Sequence, residues 1–392
     1  MSAQGRPGGI PPGLNRFQSW LGKRPLLQLG VLAGLIAGAL FLGHNLITNM
    51  DRVGITPGFS FLWRPANFEI GETLIAYSAQ SSFGRAILAG ALNTALVSIT
   101  GCILATLIGV ALGLARISAN PVVAGMARIY VETIRNTPLL LQLFFWSATV
   151  QTFPPIRRAF EPLPGLLFSN RGLFLPSLGF SAGSWTIATA AVTAILLAAW
   201  VFLRVSMKDR PRQRRRTGFL LLLAAGAGLA VVAALGGFSV GWPQHKGFNV
   251  TGGLAATPEF AALLFGLAVN SSAGIAEIVR SGIEAVPKGQ IEAARSLGLR
   301  QGQIMRLVIL PQALRIMIPL FTSSYLSLTK NSSLAVAIGY PDLVSIVNTT
   351  ANQTGQALEA IMIMIGIYLT INLTVSLVMN RAHARQSLTV RG

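Results

Sequence analysis

Residues 277–311 read Glu277-Ile-Val-Arg280-Ser-Gly-Ile-Glu284-Ala-Val-Pro287-Lys-Gly-Gln-Ile-Glu292-Ala293-Ala294-Arg295-Ser-Leu297-Gly298, continuing through Arg300 to Val308-Ile-Leu310-Pro311. The stretch is polar, yet it joins two apolar runs at 259–279 and 313–335. Pro287 suits the first turn of a helix, residues 288–297 have helix-forming composition, and Gly298 suits a left-handed cap. The pattern predicts a short helix, a sharp turn, and a second helical run that bends at Pro311 as the chain returns to an apolar phase. A structured hydrophilic elbow between two such runs belongs outside a membrane, so the runs on either side decide the fold.

The chain has 392 residues, 52% hydrophobic and 11% charged, with a mean hydropathy of +0.60. That is too apolar for an ordinary soluble domain. A crossing helix needs roughly 20 mainly apolar residues, because lipid offers backbone groups no partner across about 30 Å of hydrocarbon. Eight stretches qualify, at about 26–47, 86–115, 137–153, 184–203, 218–237, 259–279, 313–335 and 357–380, the third being the shortest. The expected fold class is an all-α membrane protein with about eight transmembrane helices.

Lys and Arg are retained preferentially on the cytoplasmic side of each crossing. Residues 1–25 carry Arg6, Arg16, Lys23 and Arg24 with no acid, and 204–217 packs Arg204, Lys208, Arg210, Arg212, Arg214, Arg215 and Arg216 around Asp209. The gaps 116–136 and 280–312 and the tail after 380 are also basic, whereas 48–85, 154–183, 238–258 and 336–356 are poorer. This alternation predicts that both termini are cytoplasmic. It places most of the net charge of +19 on inward loops, which argues for a membrane-lipid environment and against a nucleic-acid partner. The first apolar run is long for a secretion signal and no small-x-small site follows, so it reads as a retained span.

A single cysteine, Cys102, and three histidines, His44, His245 and His383, argue against a disulfide framework or a zinc or copper centre. None of Lys23, Lys208, Lys246, Lys288 and Lys330 lies between Gly and Ser or Thr as a phosphate-binding loop requires. No metal, nucleotide or catalytic site is therefore expected on this chain. The one enzymatic foothold is Gly237-Phe238-Ser239-Val240-Gly241, near His245, which has the spacing of a serine nucleophile elbow. That elbow needs a strand before the serine and a helix after it, whereas here an apolar run precedes and a Gly and Pro loop follows.

Turn formers including Pro154, Pro155, Pro162, Pro164, Gly165, Gly172 and Pro176 interrupt helix over 154–183, and a second such loop runs from Gly236 to Pro258. Residues 1–85 then form an N-terminal tail, first span and outer loop. Residues 86–153 begin a core, 154–258 are an insert with two spans, 259–380 complete the core with the polar loop 280–311, and 381–392 are a tail. Gly30, Gly34 and Gly38 on the first span permit close helix packing.

Glu292-Ala293-Ala294, three residues, Gly298, and then Leu310-Pro311 resemble the EAA loop of bacterial ABC importer permeases, with Val308 where that pattern usually has isoleucine. Two more segments are similar to permeases for polar amino acids. They are Arg128-Ile-Tyr-Val-Glu132-Thr-Ile-Arg135-Asn136-Thr137-Pro138-Leu-Leu-Leu-Gln142 and Lys330-Asn331-Ser332-Ser333-Leu334. The likeness covers about 86–153 and 258–380, and the leading span and insert resemble those of the larger permease chain in general L-amino-acid importers.

The resemblance implies a type I permease core of five spans plus an N-terminal span and a two-span insert, working by alternating access in the inner membrane. It implies that Glu292, Ala293, Ala294, Arg295, Gly298, Leu310 and Pro311 couple the spans to a separate ABC ATPase dimer. ATP and Mg would sit on that partner, with no cofactor on this chain. A second related permease, forming a heterodimer, and a periplasmic amino-acid-binding protein complete the implied set. From the residues alone, the short helix can also be read as an amphipathic helix resting on the membrane surface. The alternatives for function are an ion-gradient-driven secondary transporter and an ABC permease for another small solute.

Ionisable groups in apolar spans cost about 2.5 to 3.5 kcal/mol at the centre and point to a pathway or a partner. Glu277 stands one turn before Arg280, so a helix-face ion pair competes with a substrate role. Lys330, followed by Asn331 and Ser332, can attract a substrate carboxylate or extend toward the interface. Asn93, Thr94, Asn136 and Thr137 can line a polar route or bond between helices.

Overall fold

The computed structural model describes residues 25–52, 58–179, 239–246 and 249–388. The chain runs through α1 (Pro25–Arg52), α2 (Phe83–Arg116), α3 (Pro121–Asn136) and α4 (Leu139–Gln151) into short strands. These are β1 (Phe160–Leu163), β2 (Leu166–Ser169), β3 (Gly172–Leu175), β4 (Ser177–Gly179), β5 (Ser239–Gly241), β6 (Gln244–Lys246), β7 (Asn249–Thr251) and β8 (Leu254–Ala256). Helices α5 (Pro258–Glu284), α6 (Lys288–Ser296), α7 (Gln301–Ile304), α8 (Leu310–Asn331), α9 (Leu343–Thr354) and α10 (Ala357–Leu388) follow.

Among the described residues, four helical stretches are long and apolar enough to cross a membrane: Phe83–Arg116, Pro258–Glu284, Gln301–Ile338 and Ala357–Arg381. Gly30–Asn45 and Leu139–Gln151 are shorter apolar helices. The expected spans 184–203 and 218–237, with the basic hairpin between them, lie outside the described residues.

Helix α2 presents Leu88, Ile99, Ile103 and Leu107 outward, as a lipid-facing side does, and buries a stripe of small residues. A Cβ at Gly109 would stand 2.6 Å from Ile275, and one at Gly113 would stand 2.7 Å from Val279. Only glycine lets α2 and α5 approach this closely, and such contact replaces the hydrophobic drive that lipid does not supply. Val97, Leu143, Leu263, Leu267, Ile275 and Leu328 belong to the core around this crossing. Around the start of α2, Phe61, Phe83, Ile87, Leu343 and Ile346 form a second cluster.

Two expectations need correction. The fold is mostly helical rather than all-α: the Gly and Pro loops form antiparallel sheets, one ordered β1-β2-β3-β8 and two pairs, β4-β5 and β6-β7. Frequent turn formers spaced by short apolar runs fit hairpins as well as they fit helix breaks.

The third expected span, 137–153, is a 13-residue helix, too short to cross alone, and the expected loop 116–136 contains helix α3. The two helices break where Thr137 is extended (φ −99, ψ 127) ahead of Pro138, because a proline ring disfavours helical backbone in the residue before it. Gln142 mends the break by donating to the carbonyls of Ile134 and Thr137, each at 3.0 Å.

Pro311, where the sequence predicts a bend, sits in the first turn of α8, and Met305–Ile309 forms a π turn that joins α7 to α8. Proline has no N–H for the carbonyl four residues back and crowds it, and a wider turn accommodates both effects.

Candidate functional site

The polar elbow folds as a compact cap on the ends of α5 and α8. Pro287 is extended (φ −57, ψ 132) and begins α6, a nine-residue helix. The helix closes with Gly298 N–H donating to Arg295 O at 2.9 Å and Leu299 N–H donating to Ala294 O at 3.2 Å. Gly298 adopts φ +73, a left-handed conformation that glycine enters without a Cβ penalty.

The two alanines of the expected docking face divide. Ala294 is 4% exposed and packs with the core that contains Val286 and Ile304, so it anchors α6 to its own chain. Glu292, Ala293, Arg295 and Gly298 face outward, and Leu297 is 80% exposed. Leu310 and Pro311 are exposed at the start of α8. A small exposed face with one protruding apolar side chain and charges at its edge suits a groove in another protein.

Glu277 accepts hydrogen bonds from Arg116 of α2 and from Arg280, which also donates to Glu284. The ion-pair reading thus describes its geometry, with a second helix added. Tyr130 of α3 and Ser272 of α5 lie within hydrogen-bond distance at 3.2 Å.

A cavity of about 450 Å³ lies between the end of α3, the middle of α5 and the C-terminal half of α8. Arg135, Asn270, Ser271, Ser323, Ser324, Ser327 and Asn331 supply its polar wall, and Gly274, Ile278 and Leu320 the rest. One guanidinium, two carboxamides and four hydroxyls can each meet part of a zwitterion: donors for the carboxylate, oxygens for the ammonium. Such dispersed contacts let a solute enter and leave.

Of the expected pathway residues, only Asn331 lines this cavity. Asn93 donates to the carbonyls of Glu72 and Pro341, and Thr94 accepts from Leu343 N–H. Asn136 ends α3 and is exposed, and Thr137 donates to Thr133 O. Lys330 is exposed, while Ser332 is buried and donates to Thr329 O. The missed residues had a signal: Asn270-Ser271 and Ser323-Ser324, with Ser327 one turn on, are polar groups inside otherwise apolar runs. Ser239 opens β5 and is followed by a β-hairpin rather than a helix, so the elbow geometry is not met.

Residues 248–387 match the family described as binding-protein-dependent transport system inner membrane component. The general L-amino acid transport system permease protein AapQ of Rhizobium johnstonii is 41% identical over 373 residues, covering 93% of this chain and 92% of that one. The glutamate/glutamine/aspartate/asparagine transport system permease protein BztB of Rhodobacter capsulatus is 39% identical over 388 residues, 90% of this chain and 91% of that one. A solved chain from an amino acid ABC transporter crystallised with histidines is 22% identical, with a TM-score of 0.46 over 77% of this chain and 95% of its own. With two full-length relatives at this identity, the chain is a multi-pass membrane protein that belongs to the amino-acid ABC transporter permeases.

Proposed function

We propose that this chain is the permease subunit of an ATP-driven importer of polar L-amino acids, acting by alternating access in the inner membrane. The observation that carries the reading is α6, an exposed helix outside every apolar stretch, tied at both ends to helices that wall a polar cavity. An ABC ATPase dimer, holding ATP and Mg, grips Glu292, Ala293, Arg295, Leu297 and Gly298, and its closure moves α5 and α8 together. Hydrolysis belongs to that partner.

The core is five crossings: α2, the broken pair α3 and α4, α5, the continuous α7 and α8, and α10. The N-terminal span and the insert 154–258 are additions to it, and both termini are cytoplasmic. The partner permease is a related, non-identical chain. A periplasmic binding protein delivers the amino acid to the outer face, and Arg135 meets its carboxylate in the cavity. The dicarboxylic and amide amino acids in the name of the Rhodobacter relative make L-glutamate and L-glutamine the first probes.

The test is uptake of radiolabelled L-glutamate and L-glutamine into sealed vesicles holding this chain with its partner permease, ATPase and binding protein. Uptake should require ATP and the ATPase. Uptake that follows an imposed ion gradient with the ATPase omitted would overturn the proposal.

A further inference from the structure

Helix α2 is held by polar contacts of two kinds, one at its C-terminal end, at Arg116, and one about a third of the way along it, at Asn93 and Thr94. At its inner end Arg116 pairs with Glu277, with side chains 11% and 26% exposed, so the pair is screened less than a surface bridge. Arg280 joins Glu277 to Glu284, in the last turn before the α6 loop. One turn outward, Gly113 and Gly109 hold α2 against Val279 and Ile275 with no room for a Cβ. The inner halves of α2 and α5 cannot slide without losing this contact, so they behave as one body.

The outer contacts lie 23 residues away along α2, from Arg116 to Asn93, or about 35 Å. Asn93 Nδ2 donates to the carbonyls of Glu72 at 2.8 Å and Pro341 at 2.9 Å, and Thr94 Oγ1 accepts from Leu343 N–H at 3.0 Å. Asn93, Thr94 and Leu343 are buried. Glu72 and Pro341 help wall an outer cleft of about 450 Å³, together with Glu69, Glu259, Gly339 and Thr349.

We propose that α2 is a lever. Arg116 and Glu277 are positioning residues that make α2 follow α5 when α6 is pulled, and Asn93 and Thr94 pass the displacement to Gly339–Leu343, the wall of the outer cleft. The two ends of the transport path are thus joined by one stiff helix rather than by a diffuse rearrangement. This rests on the reading of α6 as the ATPase contact.

The lone Cys102 simplifies the test. In a Cys102→Ala background, Thr349→Cys places a thiol at the outer cleft. The assembled complex, in sealed vesicles, is labelled with a membrane-impermeant maleimide, without nucleotide and then trapped with ATP and vanadate. The parent should label at different rates in the two states.

Arg116→Met leaves Glu277 paired with Arg280, and Thr94→Val removes the hydroxyl that accepts from Leu343 N–H while leaving both Asn93 bonds in place. Each should shrink the state-dependent difference, and the glutamate moved per ATP hydrolysed, by about 3- to 10-fold while hydrolysis continues. Arg116→Lys should restore both. A purely structural role would lower thermal stability without changing either ratio. Assembled variants with parental ratios overturn the lever. Should Arg116→Met fail to assemble, Thr94→Val decides alone in the same way. A parent complex without ATP-dependent uptake overturns the importer reading, and the lever with it.

Discussion

Gln312 Nε2 donates to Gln290 Oε1 at 3.2 Å, tying α6 to the first turns of α8 across the turn between them. The same amide donates to Val308 O at 3.0 Å, inside the π turn. A neutral hydrogen bond of this kind contributes about 0.5 to 1.5 kcal/mol. Gln312→Leu should therefore raise amide hydrogen exchange across 288–299 by about 2- to 12-fold while exchange in α5 is unchanged. Equal exchange in the two proteins would show that the tie adds nothing to the seating of α6.

Leu297 and Gly298 separate the surface of α6 from its shape. Leu297 is the protruding apolar side chain of the exposed face. Leu297→Glu should weaken ATPase binding by about 10-fold or more, as a contact at the centre of an interface does. Gly298 has open space around its missing Cβ but a φ of +73, so a side chain there costs backbone strain alone, of about 1 kcal/mol for alanine. Gly298→Asn should be milder than Gly298→Val, because asparagine tolerates this conformation and a β-branched residue does not. Co-purification of the ATPase and its transport-coupled hydrolysis would check both. Indifference to Leu297→Glu would remove the proposed docking face.

The elbow was readable because its signals are local: Pro287, a run of mostly helix-forming residues from Gln290 to Arg295, and Gly298 specify α6 without help from elsewhere. The four long apolar helices were readable for the same reason, since lipid demands a continuous run. What escaped depends on partners distant in sequence. Ala294 looks like Ala293 until the core that contains Val286 and Ile304 closes over it. The cavity joins Arg135, Asn270 and Asn331 from three helices, and no spacing along the chain brings them together. Helix α3 was hidden by its charges, because Arg128, Glu132 and Arg135 lie on its exposed side while Ala127 and Val131 are buried.

Arg135 should set the charge preference of the cavity. A hydrogen bond to an ionised group contributes about 1.5 to 3 kcal/mol, so Arg135→Gln should lower kcat/KM for L-glutamate uptake by about 10- to 100-fold. The loss for a cationic amino acid should be smaller, since its side chain no longer faces a guanidinium. Uptake assays over a series of amino acids would read the difference directly. Equal losses for every substrate would assign Arg135 to holding helix α3 rather than to meeting the solute.

Asp342 gives the segment that opens α9 its own pH dependence. It is buried at the start of α9, where Oδ1 accepts from Ser345 N–H at 2.8 Å and Oδ2 has no partner. Burial pushes its carboxyl from 3.8 up to about 7, outweighing the backbone N–H groups that favour the charged form. The folded chain thus keeps a proton that the unfolded chain has lost. This group's contribution to stability is greatest below 3.8 and is lost as pH rises to about 7, by at most about 1.4 kcal/mol per pH unit. Asp342→Asn retains an acceptor for Ser345 and removes the titration. Its unfolding midpoint should vary less than the parent's between about pH 5 and 7, and exceed the parent's above that range. Glu72, also pushed up by burial, remains in the variant and titrates in the same sense, so the slope should shrink rather than vanish. Parallel pH profiles for the two proteins would mean that Asp342 is solvated in the assembled membrane protein.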